Sequence, residues 1–216
     1  MSEATIKVED FKRQVGKPLG VEMRKLGFKG SGFIYKKEDE DFLYAVYLQG
    51  GRWGGKYCTV GFAVHPKQIK KHGDEKLDLN KLPIHFYEFR MGTSKSARGQ
   101  RWDYSDHVTE NLKLLDKIVS AIKSKVIPVI KLYAQKPGLL DTFGITEIKQ
   151  FHRNYTQKTG TSIATTDIRF AWAIATIFES KNPAKAKRFA AYGLSKCTTN
   201  DTFFGKADFE RILNKQ

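Results

Sequence analysis

Two neighbouring segments constrain this chain more than anything else in it. Phe42 to Gln49 reads FLYAVYLQ and Tyr57 to His65 reads YCTVGFAVH. Successive side chains of a strand point to opposite faces, so each alternating set is a surface. Phe42, Tyr44, Val46 and Leu48 define one side of the first segment; Leu43, Ala45, Tyr47 and Gln49 define the other. In the second, Cys58, Val60, Phe62 and Val64 oppose Tyr57, Thr59, Gly61, Ala63 and His65. Aromatic and β-branched residues dominate both, as strands favour. Between them lies Gly50-Gly51-Arg52-Trp53-Gly54-Gly55, whose glycines suit a hairpin connection longer than two residues. The pattern predicts an antiparallel pair with one apolar face and one mixed face.

Two more strands are expected on either side, Gly32–Lys36 and Ile84–Met91, with an acidic turn at Glu38–Asp41. Helical spacing is expected over Val8–Met23, interrupted near Lys17 because Pro18 disfavours helical geometry at the preceding residue. A short helix, Val21–Leu26, follows, ended by Gly27 in the left-handed conformation. Ser105–Tyr133 reads as a long helix capped by Ser105, with Val108, Leu112, Leu115, Val119, Ile122 and Val126 on one stripe and a break at Pro128. The fold class is therefore α+β: an antiparallel sheet of about four strands packed by helices on one face, with a helical C-terminal extension. Pro137-Gly138 marks the expected boundary between an α+β domain, residues 1–136, and the extension, residues 137–216. In the extension, Asp141–Tyr155 predicts a short helix, Thr166 or Asp167 caps another, Asn182-Pro183 starts a third, and Asp208–Leu213 a last one.

Leu26-Gly27-Phe28-Lys29, the glycine and aromatic strand after it, then Leu48-Gln49 and Trp53 on a glycine-rich turn, carry a family resemblance. Over roughly Val8 to Tyr133 the chain resembles a bacterial family known as domain of unknown function four-three-zero-four. The resemblance implies an intracellular bacterial α+β domain and brings no activity with it. It does not reach beyond about Leu139.

Of 216 residues, 38 are Lys or Arg and 23 Asp or Glu, a net charge of +15. Such an excess favours anionic partners, and its even spread over both halves of the chain excludes a basic tail as its source. The partner classes left open are a protein, an anionic ligand and a nucleic acid. No run approaches the length of a membrane helix, and the start lacks an apolar leader. Two cysteines, Cys58 and Cys197, suit reduced thiols. A cytoplasmic location without membrane contact follows as the expectation.

Chemistry is sparse. GxSxG, HExxH and CxxC are absent, and the five histidines form no metal-ligand spacing. No metal ligand, catalytic group or cofactor is assigned. Gly27-Phe28-Lys29-Gly30 matches a four-residue GxxG pattern, but a strand follows it where a nucleic-acid-binding loop of that type needs a helix. Two candidate binding regions remain. The mixed sheet face offers Tyr47, Gln49, Tyr57, His65, Glu88 and Arg90; a His65–Glu88–Arg90 set there has the residue types of acid–base chemistry. The loop after the fourth strand, within residues 90–104, offers Lys95, Arg98, Arg101, Trp102 and Tyr104. Cations for phosphates beside rings for stacking are what single-stranded nucleic acid requires. A non-enzymatic binding or interaction protein is the leading reading. A nucleic-acid-associated protein using that loop, and a small-molecule enzyme on the sheet face, are the alternatives.

Overall fold

The computed structural model describes residues 8–51, 56–73, 75–94, 100–197 and 203–215. The long hairpin is present as read. Strand β3 (Phe42–Gly50) and strand β4 (Tyr57–Pro66) pair antiparallel, with Val46 opposite Phe62 and Tyr47 opposite Gly61. Val46 and Val60 are buried, as the alternation demands. Arg52 to Gly55, including Trp53, lie outside the described residues.

The sheet is wider than the four expected strands. β1 (Lys29–Ser31) and β2 (Ile34–Glu38) extend it beyond β3. On the other side β4 is shared end to end: β7 (Phe89–Gly92) pairs with Gly61–Val64, and β8 (Arg101–Asp103) with Tyr57–Thr59. A two-stranded ribbon, β5 (Lys71–His72) with β6 (Glu75–Lys76), stands off the sheet. The expected strand Ile84–Met91 is half right. Pro83 opens a 3-10 turn over Ile84–Phe86, and extended pairing starts only at Phe89. The segment between β4 and β7 folds back over the mixed face, where Leu77, Leu82 and Tyr87 bury Leu43, Ala45 and Ala63 in a second, smaller apolar cluster.

Helix α1 (Val8–Lys25) runs unbroken through Pro18, contrary to the break expected near Lys17. Phe11, Val15, Leu19 and Met23 form a fully buried i,i+4 stripe. Burying each contributes about 1.5–3 kcal/mol against a cost of about 3 kcal/mol for one interior proline. Pro18 also sits on the exposed side, where helical hydrogen bonds lengthen most readily. Gly27, at φ +82°, ends the helix as anticipated: the Phe28 N–H donates to Met23 O at 3.0 Å and the Gly27 N–H to Arg24 O at 2.9 Å.

The second long helix comprises α2 (Val108–Ala121), a π turn over Ile122–Val126, and α3 (Ile127–Ala134). The wide turn lies directly ahead of Pro128, whose ring and missing N–H an α-turn accommodates poorly. Ser105 does not cap α2; its Oγ accepts from the His107 N–H, and His107 stands at the cap. The expected stripe holds from its third member on, with Leu115, Val119, Ile122 and Val126 buried, and fails only in the first turns. Val108 and Leu112 are exposed, while Asn111, Leu115, Ile118 and Ile122 face inward. Asn111 is buried because its side chain is fully used, bonding the Ser105 N–H, Ser105 O and Gln14 on α1.

The C-terminal part is helical: a 3-10 turn over Leu139–Thr142, α4 (Ile145–Ile148), α5 (Phe151–Thr159), α6 (Asp167–Phe178), α7 (Pro183–Lys196) and α8 (Lys206–Asn214). Thr166 caps α6 through the Arg169 N–H, and Asn182 caps α7 ahead of Pro183. This part shares the main core. Phe89 of β7 packs against Tyr133 and Phe170, at ring separations of 5.8 and 5.5 Å, and Phe170 against Phe143 and Phe151.

Candidate binding cleft on the polar sheet face

The mixed face divides in two. The half nearer His65 is closed. His65 is fully buried, its Nε2–H donates to Ile69 O at 2.8 Å, and Tyr87 meets its ring edge-on. Burial holds the imidazole down at about 4, so it is neutral with its proton on Nε2. Glu88 is buried as well, and Arg169 of α6 takes both its oxygens, Nε to Oε1 at 2.7 Å and Nη2 to Oε2 at 3.0 Å. Burial raises the proton affinity of that carboxyl and the guanidinium opposes the rise. The expected His65–Glu88–Arg90 set is therefore not assembled: His65 is spent on a backbone carbonyl and Glu88 on a residue 81 positions away.

The other half is open. Tyr47 and Gln49 of β3, Thr59 of β4 and Arg90 of β7 surround a cleft of about 350 Å³. Its outer wall is Ser162–Ala164, which continues the sheet past β7: the Gly92 N–H donates to Ser162 O, the Ala164 N–H to Arg90 O, and Met91 bridges Ile163. The floor is the Tyr47 ring lying flat over Gly61, with Val60 behind it. A Cβ at Gly61 would overlap that phenol. Gly61→Ala is expected to cost about 1–3 kcal/mol through overpacking, read by denaturant unfolding, and Tyr47→Leu in the same chain should recover most of the loss. The side chains of Tyr47, Gln49, Thr59 and Arg90 have no hydrogen-bond or ion-pair partner among the described residues. Burial raises the Tyr47 phenol, and the nearby Arg90 charge acts against it.

Tyr57, also named from sequence, stands outside the cleft. Arg101 lies over its ring at 4.1 Å, and Gly51 backs the ring so closely that a Cβ there would fall 2.6 Å from it. Arg101 is exposed but paired to Asp103 at 2.7 Å. The stacking platforms expected after β7 are not platforms. Trp102 and Tyr104 belong to the main core, and Tyr104 stacks on Phe11 of α1 at 4.6 Å. Alternation explains this: Trp102 points to the apolar side because Arg101 and Asp103 point to the mixed one. Lys95 and Arg98 lie outside the described residues.

Sequence reasoning missed Arg169 and the Ser162–Ala164 wall. Both come from the C-terminal part, and no local pattern ties them to β7. Among the described residues no three His, Cys, Asp or Glu side chains gather to hold a metal ion, and no helix is long and apolar enough to cross a membrane.

Fold and site together define an α+β protein whose antiparallel sheet presents a small cationic cleft on its polar face. The family model for Domain of unknown function (DUF4304) matches residues 19–132, more than half of the chain, and the protein belongs to that family. No curated protein and no solved structure matches it.

Proposed function

We propose that the protein is a non-enzymatic binding protein whose cleft over Tyr47, Gln49 and Arg90 receives a small anion, a carboxylate or phosphate carried on a flat or apolar body. One observation carries this reading: four polar side chains without a partner among the described residues converge on one cleft, and one of them is a half-buried guanidinium. A guanidinium fork matches carboxylate and phosphate oxygens two at a time, and Gln49, Thr59 and Tyr47 add neutral donors around it. The Tyr47 ring supplies apolar contact for the ligand body. The net charge of +15 adds a favourable field for any anion approaching. A bacterial, cytoplasmic setting belongs to the same proposal, supported by the family resemblance and by two cysteines not joined in a disulfide. So does the division at residues 136 and 137, supported by a family match that ends at residue 132.

Titration of the full chain with benzoate and with inorganic phosphate, followed by amide and arginine-side-chain NMR, tests the reading. Shifts should gather at Arg90, Tyr47, Gln49 and Ser162–Ala164. Arg90→Gln should weaken binding roughly 10- to 100-fold, the worth of about 1.5–3 kcal/mol for a hydrogen bond to a charged group. Shifts scattered over the surface lysines, or an unchanged affinity in Arg90→Gln, would refute it.

A further inference from the structure

Glu88 sits at the bend just ahead of β7 and Arg90 two residues on within it, a Cα spacing of at most about 7 Å. That is within easy reach for a carboxylate and a guanidinium, and such a pair would neutralise itself. It does not form, because Arg169 holds Glu88 with both ends of its fork. The hold is braced. Arg169 Nη2 also donates to His72 Nδ1 at 3.4 Å, its guanidinium lies over the Phe204 ring at 5.7 Å, and the Thr166 cap fixes its helical turn. Glu88 keeps only 3% of its surface, so no water competes for it.

We infer that Arg169 is a positioning residue for the anion site: by sequestering Glu88 it leaves the Arg90 guanidinium unpaired and directed at the cleft. The C-terminal extension thus does two things for a cleft whose floor lies in the family-matched part, residues 19–132. It builds a wall through Ser162–Ala164 and removes the competing carboxylate through Arg169. The inference rests on the anion-binding reading above, since Arg90 touches the ligand and Arg169 acts only through Glu88.

The test is a set of full-length variants titrated with benzoate, each first checked for a folded amide spectrum. Arg169→Met should weaken benzoate binding roughly tenfold or more as Glu88 turns to Arg90. Glu88→Gln with Arg169→Met should return the affinity to within about threefold of the parent, a rescue that a merely structural role for Arg169 would not give. Glu88→Gln alone should leave binding nearly unchanged. A ligand-free measurement runs beside these: the Arg90 Nε–Hε resonance should move to an ion-paired position in Arg169→Met and return in the double variant. Should Arg169→Met fail to fold, Arg169→Lys gives the same comparison with a smaller displacement. Parent-like binding in the Arg169 variant, or a double variant that stays weak, overturns the inference while leaving the Arg90 site standing. A parent chain that binds neither probe, with an Arg90 resonance that moves as stated, sinks the ligand reading and leaves the Glu88 switch intact.

Discussion

Phe209→Ala is expected to lower the free energy of unfolding by about 3–5 kcal/mol, the usual cost of removing a buried aromatic ring. Phe209 is fully buried on α8 and rests against Gly193 of α7, where any Cβ would overlap its ring. The reverse substitution should hurt as well. Gly193→Ala gains about 1 kcal/mol of helix propensity but forces the ring to move, for a net loss of about 1–3 kcal/mol. The two changes should not add. In the double variant the new methyl occupies part of the space the ring vacates, so the loss should fall at least about 1 kcal/mol short of the sum. Urea unfolding of the four chains decides it, and strict additivity would mean that α7 and α8 are not fastened through this contact.

The second large effect is a loss of stability on mild acidification, set by His65. In the unfolded chain its ring titrates near the ordinary value of about 6.5; in the fold, burial holds it at about 4. Between those values the unfolded chain takes up a proton that the native state refuses. Stability present above about pH 6.5 is therefore lost progressively down to about pH 4, by about 3 kcal/mol in all. His72 is shifted the same way by burial and by Arg169, so part of the slope belongs to it. His65→Gln retains an N–H for the Ile69 carbonyl and cannot titrate. Its unfolding free energy should be flatter than the parent's between pH 6.5 and 4, whereas equal slopes would show that His65 is not the group responsible.

Much of the architecture could be read from the chain because two strands alternate so cleanly that burial leaves one arrangement. The glycine cap at Gly27 and the caps at Thr166 and Asn182 were legible for a similar reason, since each depends on neighbours within a few residues. The failures share a cause. Pro18 is a breaker locally, but the buried stripe from Phe11 to Met23 is tertiary and outweighs it. Ile84–Phe86 alternates as a strand would, yet Pro83 and the packing of Tyr87 on His65 make it a turn. Trp102 and Tyr104 looked like free rings because the sequence does not say that Arg101–Asp103 pairs with β4. Of the site, Tyr47, Gln49 and Arg90 were visible as members of one face. The partner that disarms Glu88 was not, since Arg169 arrives from a helix far along the chain.

The phenol of Tyr47 resting on a residue with no side chain has one more effect. Sliding one ribbon of the hairpin past the other by two positions keeps every greasy group inward, so burial alone does not forbid it. Such a slide would set Tyr47 against Thr59 or Ala63, each with a carbon where the ring now lies. A single absent methyl is thus the index mark that lets the two ribbons find their one alignment.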